Sequence, residues 1–582
     1  MIGLVWATES GRQAAQRLAK AWPDECTVHD GPIRTQLESA WGTSDAIVAF
    51  LATGATVRLV AGLLADKHTD PGVVCVDEVA KFAVALIGGH GGGANALAAR
   101  VAEVLGAQPV VTTGTDAADI PGLDTLGFKV GNPDRLAAVS RAMLDGEPIA
   151  WHSDMPWPLP ALPPNVGDYP NAAHAVYVTD RAAGPGGHTL SGALTENDVR
   201  PPSSMRSPLV LHPPSLVLGI GASRGVEQSE IAALVERVLT EAGLAPESVR
   251  CIATADIKAD EPGLVAYAES KGWPMLTYPA SELGAVPVPN PSEVVRAAVG
   301  TPSVSEAAAL LAAGNSAEIV VPKTASAMAT VAVTRQATRG RLAIVGLGPG
   351  AADLRTPRAT SELRAAAIVV GLDQYVAQVR DLLRPGTRLV ASGLGAEEER
   401  ARTAVELARQ GNAVALIGSG DAGVYAMASP ALEFATEDVE VVAVPGITAA
   451  LAASALLGAP LGHDHVYLSL SDLHTPWAVI ERRLHAASEA DLVVCLYNPR
   501  SARRKRQLPE ALRILGLHRP SDTPIGLVRE ASRAREEVQV TTLATIDPDD
   551  VDMNTVVIVG ASTTRIVAGR MVTPRGYQWM PR

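Results

Sequence analysis

Aromatic side chains are scarce, at 4% of 582 residues. Any core must therefore be built from Ala, Val, Leu and Ile, and little is available to stack successive bases of a nucleic acid. A basic surplus is missing too: 49 Lys and Arg face 62 Asp and Glu, a formal net charge of −13. A nucleic-acid-binding chain carries a basic footprint, so no nucleic-acid partner is expected, and a polyanionic ligand would have to meet a local basic patch. Cysteine is limited to Cys26, Cys75, Cys251 and Cys495, no two at metal-ligand spacing. Neither a disulfide scaffold nor a metal site is expected, and buried reduced thiols point to the cytoplasm. Long apolar runs are also missing. The longest uncharged stretch, 441–462, is split by Pro445-Gly446 and reads as a buried strand–turn–helix rather than a membrane span. At the N-terminus no basic segment precedes an apolar one and Glu9 comes early. That start reads as a strand, not a signal peptide.

What is present is apolar material for several cores, 47% hydrophobic against 19% charged. A single core stops growing beyond about 250–300 residues, and about 100–200 residues per domain predicts roughly four units. Short β-type runs alternate with Ala/Leu-rich helical stretches almost throughout, which predicts a multidomain α/β protein. In the first section strands are expected at 2–7, 46–51, 73–76 and 82–87, and helices at 11–21, 54–64 and 94–105. Prolines at 156, 158, 160, 163, 164 and 170, followed by Pro201, Pro202, Pro208, Pro213 and Pro214, predict a small irregular module over about 127–214 with one strand at 176–179. Alternation resumes with a strand at 216–220, and the polar, basic stretch 334–341 reads as the linker to a new β-start at 342–345. The expected domains are 1–126, 127–214, 215–335 and 341–582.

Beyond the linker, Val345-Gly346-Leu347-Gly348-Pro349-Gly350 follows a strand. A glycine-rich turn there lets backbone N–H groups approach a ligand. By itself the turn also fits a dinucleotide fingerprint, through Gly346, Gly348 and Ala351 with Asp373 downstream, or a plain structural turn. Its company is more specific. Gly418-Ser419-Gly420-Asp421-Ala422-Gly423-Val424-Tyr425, Val444-Pro445-Gly446-Ile447-Thr448-Ala449, Leu496-Tyr497-Asn498-Pro499 and Met553-Asn554-Thr555 through Gly560 come in order. Each reads as a strand ending in a small or polar turn, so all can line one crevice at a sheet's carboxyl edge.

This ordered set resembles the tetrapyrrole (uroporphyrinogen/precorrin) methyltransferases over 341–582. Gly-Asp-Ala-Gly at 420–423, the Leu-Tyr-Asn-Pro turn and Thr573-Pro574-Arg575-Gly576-Tyr577 look like the precorrin-3B C-17 branch. The resemblance implies a two-lobed α/β enzyme, lobes at about 341–450 and 451–570, with S-adenosylmethionine between them. Gly348, Pro349 and Gly350 would border that cleft. Gly420, Asp421 and Val424 would cradle the methionine and ribose parts, Thr448 and Ala449 would follow, and Tyr497 would flank the adenosyl group. Asp421 could equally cap its own turn. Sulfonium methyl transfer is an in-line displacement, so the protein has mainly to align donor and acceptor. Ring contraction in this branch also needs a base, for which Asp373, Tyr375 and His463 are candidates. The one dense basic cluster, Asn498-Pro499-Arg500-Ser501-Ala502-Arg503-Arg504-Lys505-Arg506, is either a solvated face or a steering patch for a carboxylate-rich precorrin or cobalt-precorrin, with Arg500 and Arg503 in contact. Family resemblance implies a homodimer through this half.

In the N-terminal half, Gly88-Gly89-His90-Gly91-Gly92-Gly93-Ala94-Asn95 joins a strand to a helix. Such a loop offers donors for an oxyanion and His90 as an acid/base, or is a tight turn with a surface histidine. Thr53-Gly54-Ala55-Thr56-Val57-Arg58, Lys67 with Asp70-Pro71, Asp77-Glu78 and Thr112-Thr113-Gly114-Thr115-Asp116 accompany it. With Thr254-Ala255-Asp256-Ile257-Lys258, Glu261, Ser292-Glu293 and Ser305-Glu306-Ala307-Ala308, they resemble the cobalt-precorrin-5A hydrolases over about 1–335. That family opens a lactone on the contracted ring and releases acetaldehyde, work to which His90, Glu78 and Lys81 could contribute. Two departures stand out: Gly219-Ile220-Gly221-Ala222 where the family has Gly-x-Gly-Cys, and Gly114 in place of Ala. They leave open a second reading, an N-terminal half that only binds or hands over a corrinoid.

Overall fold

The computed structural model describes residues 1–66, 69–182, 207–314 and 316–576. Lys67, Pro201, Pro202 and Tyr577 lie outside the described residues. The chain divides into two compact units, residues 1–155 with 162–338, and residues 156–161 with 339–582.

Three sheets make up the first unit. The first runs in the order Cys26–Val28, Ile2–Trp6, Ala46–Phe50, Gly72–Val76, Phe82–Ile87, Gln108–Val110. Its four leading strands are parallel, whereas Phe82–Ile87 is antiparallel to Gly72–Val76 and parallel to Gln108–Val110. Turns after the parallel strands therefore emerge at one edge, and the loops after Phe82–Ile87 and Gln108–Val110 at the other. Helix Ala94–Leu105 covers this sheet because Ala94, Leu97, Ala98, Val101, Ala102 and Leu105 fall on one buried stripe, and left-handed Gly106 ends it.

The stretch 127–214 is more regular than its prolines suggest. Strands Lys129–Val130, Leu209–His212, His174–Val178, Ile149–Ser153 and Val166–Gly167 form a five-stranded sheet in that order. Prolines 156, 158, 160, 163 and 164 all lie between Ile149–Ser153 and Val166–Gly167, where no ladder N–H is needed. In the third sheet the order is Met275–Tyr278, Val249–Ala255, Leu216–Ala222, Ala329–Arg335, Glu318–Ala325. Thr334, read as linker, is a buried strand residue whose hydroxyl donates to the Ala309 carbonyl at 3.1 Å. Only residues 336–339 connect the last strand of this unit to the first of the next.

The second unit carries an all-parallel sheet ordered Arg388–Ser392, Ile368–Leu372, Ala413–Gly418, Gly340–Gly346, Val439–Val444. A mixed sheet follows, ordered His465–Ser469, Val493–Tyr497, Thr555–Val559, Pro524–Arg529, Glu537–Thr542. A three-stranded ribbon joins Gly458–Ala459, Arg570–Val572 and Arg565–Val567. Helix Ala449–Leu457 packs Ala450, Ala453 and Leu457 onto the mixed sheet beside Cys495, whose thiol burial pushes up to about 12. Strand Thr555–Val559 is antiparallel to Val493–Tyr497. Its start at Met553-Asn554, not its Gly560 end, thus lies at the edge where Tyr497 emerges, the reverse of the sequence expectation. Among the described residues no helix is long and apolar enough to cross a membrane.

Candidate functional site

Three parallel strands of the second unit deliver their turns to one place. Gly346 pairs with Gly418, and Val345 with Val444, so the three carboxyl ends are level. A Cβ on Gly346 would lie 2.8 Å from the Gly420 carbonyl oxygen and 2.9 Å from the Gly446 amide. Only glycine lets backbone approach backbone this closely. Gly348 and Gly420 exchange hydrogen bonds of 3.0 and 2.7 Å. After Gly350 the chain makes a 3-10 turn, Ala352–Leu354, and the next helix, Pro357–Ala365, starts only after the Thr356 cap. A dinucleotide fingerprint needs its helix to begin within the glycine turn, so that alternative loses its structural basis.

Asp421 is a bracket. One carboxylate oxygen accepts from the Gly423 amide at 2.8 Å, the other from the Gly446 amide at 3.0 Å. It caps its own turn and ties that turn to the next. Val424 and Tyr425 then face a cavity of about 380 Å³ shared with Gly423, Ala426, Ser429 and Tyr467, a volume in the range of small-molecule sites. Tyr425 holds φ +51°, an outlier for a bulky residue, and its hydroxyl donates to the Tyr467 carbonyl at 2.8 Å.

The mixed sheet supplies Tyr497. Its hydroxyl accepts from the Ala450 amide at 3.0 Å and bonds Thr448 Oγ1 at 2.6 Å, which caps helix Ala449–Leu457 from a neighbouring element. Tyr425 and Tyr467 lie 5.3 and 5.7 Å from the Tyr497 ring. Burial raises all three phenols, Tyr467 to about 12. They stay protonated at neutral pH and offer hydroxyls and ring faces rather than a base.

Sequence reasoning missed the strap that closes this edge. Arg533 donates to the Pro349 carbonyl at 2.9 Å and to Ser419 Oγ at 3.0 Å, and Ser532 Oγ accepts from the Ala351 amide at 3.1 Å. The arginine stem crosses Gly350, where a Cβ would meet its Cγ at 2.6 Å. Nothing in the spacing of residues 532 and 533 signals this, because the contact spans more than 180 residues.

Other expected residues are placed apart. Asp373 is exposed at the start of helix Asp373–Val379, and Tyr375 packs on the parallel-sheet core. His463 precedes His465–Ser469, which pairs Ser469 with Tyr497. It sits beyond the opposite end of that strand, about 20 Å of extended chain from Ser469, the partner of Tyr497. Arg500 is already engaged, donating to the Pro548 carbonyl at 2.7 Å and pairing with Asp549. Arg503 is exposed. Arg504 turns inward onto the Asn498 carbonyl at 2.9 Å, and desolvation lowers its pKa.

Residues 341–547 match the tetrapyrrole (corrin/porphyrin) methylases. A Salmonella typhimurium protein named a probable cobalt-factor III C(17)-methyltransferase is 47% identical over 239 residues, 40% of this chain and 99% of the relative. The chain belongs to the tetrapyrrole methylase family. The precorrin-3B C(17)-methyltransferase of a Sinorhizobium species is 41% identical over 249 residues, 41% of this chain and 97% of that protein. A crystal structure of the methyltransferase CobJ is 38% identical and covers 40% of this chain and all of its own, with a TM-score of 0.39. In the first unit, residues 35–116 match the cobalamin synthesis G N-terminal family and 216–334 its C-terminus.

In that first unit the expected hydrolase residues part company. Glu78 accepts from Thr8 and Ser10 in the turn after Gly72–Val76, and Lys81 is exposed in the same turn. His90 follows Phe82–Ile87 and lies at the other end of that antiparallel pair. Gly114, one of the departures, would put a Cβ 3.0 Å from the Leu144 side-chain tip, so an alanine there would need only a small shift. Ala222, the other, ends its strand opposite Ala329.

Proposed function

We propose that the second unit transfers a methyl group from S-adenosylmethionine to C-17 of precorrin-3B, or of its cobalt-bearing counterpart, with contraction of the ring during cobalamin biosynthesis. The same chain, on this reading, carries a cobalt-precorrin-5A lactone hydrolase in 1–335. The carrying observation is the locking of the Gly346, Gly420 and Gly446 turns beside the Tyr425–Tyr467–Tyr497 cluster and its cavity. When bound, S-adenosylmethionine supplies an electrophilic methyl group. Gly348, Pro349 and Gly350 would border it, Gly420 and Val424 would hold it, and Thr448, Ala449 and Tyr497 would set the wall on the mixed-sheet side. Asp421 serves by fixing two of these turns in register. Alignment is most of what such a displacement asks of a protein.

Heating the full chain with S-adenosylhomocysteine should raise the unfolding temperature of the second unit, and NAD should not. Mass spectrometry of the product from precorrin-3B and from cobalt-factor III then reads methyl gain and the preferred ring. The absence of a shift with S-adenosylhomocysteine rejects the assignment. For the basic cluster, Arg503→Ala is expected to raise the tetrapyrrole KM about two- to fivefold, the scale of one exposed ion pair, with cofactor affinity unchanged. Arg500→Ala acts instead through the loss of its Pro548 and Asp549 partners, and should lower thermal stability. An unaltered KM in Arg503→Ala removes the steering role.

A further inference from the structure

The two strands that run against the rest of the first sheet bring a second set of polar residues together. Phe82–Ile87 and Gln108–Val110 are parallel neighbours, pairing Phe82 with Gln108 and Val84 with Val110. The loop after each therefore emerges at the same edge. On one loop stands His90. On the other stand Thr113, Thr115 and Asp116. His90 Nε2 lies 3.0 Å from an Asp116 carboxylate oxygen and 3.0 Å from Thr115 Oγ1. That same carboxylate oxygen accepts from Asn95 Nδ2 at 3.0 Å and from the Thr113 hydroxyl, and Asn95 also donates to Thr113 at 2.9 Å.

Thr115 or Asp116 can accept a proton held on Nε2. Nδ1 of a neutral imidazole is then left with its lone pair. The His90 side chain is 18% exposed, sheltered but reachable. Gly122 backs the ring, for a Cβ there would come within 3.4 Å of His90 Cδ2. Among the described residues, no backbone acceptor is hydrogen-bonded to the amides of His90 and Gly91.

We propose that His90 is the general base of the hydrolase half, with Asp116, Thr115 and Asn95 as its positioning residues. This rests on the hydrolase reading of 1–335. Water gives a proton to Nδ1 as its oxygen bonds to the lactone carbonyl carbon. The tetrahedral oxyanion collapses with cleavage of the ring C–O bond, and the departing alkoxide takes the proton back from the imidazolium. One water is consumed, and a carboxylic acid and a hydroxyl are formed. The freed hydroxyl then gives up its proton as the carbon–carbon bond holding the two-carbon fragment breaks. Acetaldehyde leaves, and the ring carbon keeps the bonding pair and takes up a proton, with no net oxidation or reduction. Ala222, in the third sheet, supplies no group to this step.

The test follows acetaldehyde released from cobalt-precorrin-5A by the full chain. Wild type should release it. His90→Gly should lower kcat at least about 100-fold, the scale of a lost general base, and added imidazole should restore part of the rate. Asp116→Asn should lower kcat at least about tenfold with KM little changed. C-17 methylation by the same preparations reports on the second unit, and circular dichroism on the fold of each variant. No release by wild type overturns the hydrolase reading and the dyad with it. Undiminished release by either variant overturns the dyad alone. A folded His90→Gly chain that imidazole cannot rescue overturns the role as base and leaves His90 a loop-fixing residue.

Discussion

Gly446→Ala weakens binding of S-adenosylhomocysteine at least about 30-fold and leaves the first unit folded: that is the expected result with the largest effect on function. A Cβ at this position would overlap the Gly420 carbonyl oxygen and lie 2.8 Å from the Gly346 carbonyl carbon and oxygen. Every obstructing atom is backbone, so no side chain can rotate out of the way. The turn after Val439–Val444 must withdraw from both of its neighbours, and the Asp421 bond to the Gly446 amide goes with it. Overpacking against fixed atoms costs about 1–3 kcal/mol or more. Loss of the bracket adds about 1 kcal/mol. Together, about 2–4 kcal/mol, they correspond to about 30- to 700-fold in affinity, at 1.4 kcal/mol per tenfold. Gly393→Ala is the matched control, since nothing lies within 4 Å of its Cβ position. Isothermal titration of both variants decides the matter. Wild-type affinity in Gly446→Ala means that these turns do not hold the cofactor.

The second large effect is on stability. Asp180 is 2% exposed, accepts from Arg335 at 2.6 and 3.0 Å, and takes a further bond from Ser215 at 2.9 Å. The carboxylate holds the Arg335 guanidinium above its ordinary pKa. The pair ties the segment after His174–Val178 to strand Ala329–Arg335 within the first unit. Arg335→Ala leaves a buried carboxylate with one hydroxyl for company. Breaking a buried pair by removing one partner costs about 3–5 kcal/mol. Hydrogen exchange on the full chain should therefore show protection in Ala329–Arg335 and His174–Val178 falling by two to three orders of magnitude, on the order of that free energy. The double variant Arg335→Met, Asp180→Leu should recover much of the loss, because no charge is then left without a partner. Equal protection in wild type and Arg335→Ala would show that the pair contributes nothing.

Local pattern carried a large part of the fold. Helix Ala94–Leu105 coincides with the span expected from its apolar spacing, and strands Ile2–Trp6, Ala46–Phe50 and Phe82–Ile87 fall within a residue or two of theirs. Where reading failed, composition had stood in for pairing. The prolines near 160 suggested irregularity for a whole module, although they occupy one crossover between strands. Thr334 looked like linker because it is polar, yet its hydroxyl finds the Ala309 carbonyl inside the core, and a satisfied hydroxyl can be buried.

The amino-acid sequence alone determined which turns are glycine-rich, which residues stand in them, and the family to which the C-terminal half belongs. Turn chemistry and side-chain periodicity are local, and a handful of residues suffices to express them. Only the tertiary structure decided who meets whom. Strand direction placed Asn554 rather than Gly560 beside Tyr497, and put His90 with Asp116 while sending Glu78 to the far edge. Long-range packing turned Asp421 into a bracket, engaged Arg500 with Asp549, and laid Arg533 across Gly350. Those outcomes depend on hydrogen-bond partners and buried contacts between residues far apart in the chain, and no local spacing encodes which of the available partners wins.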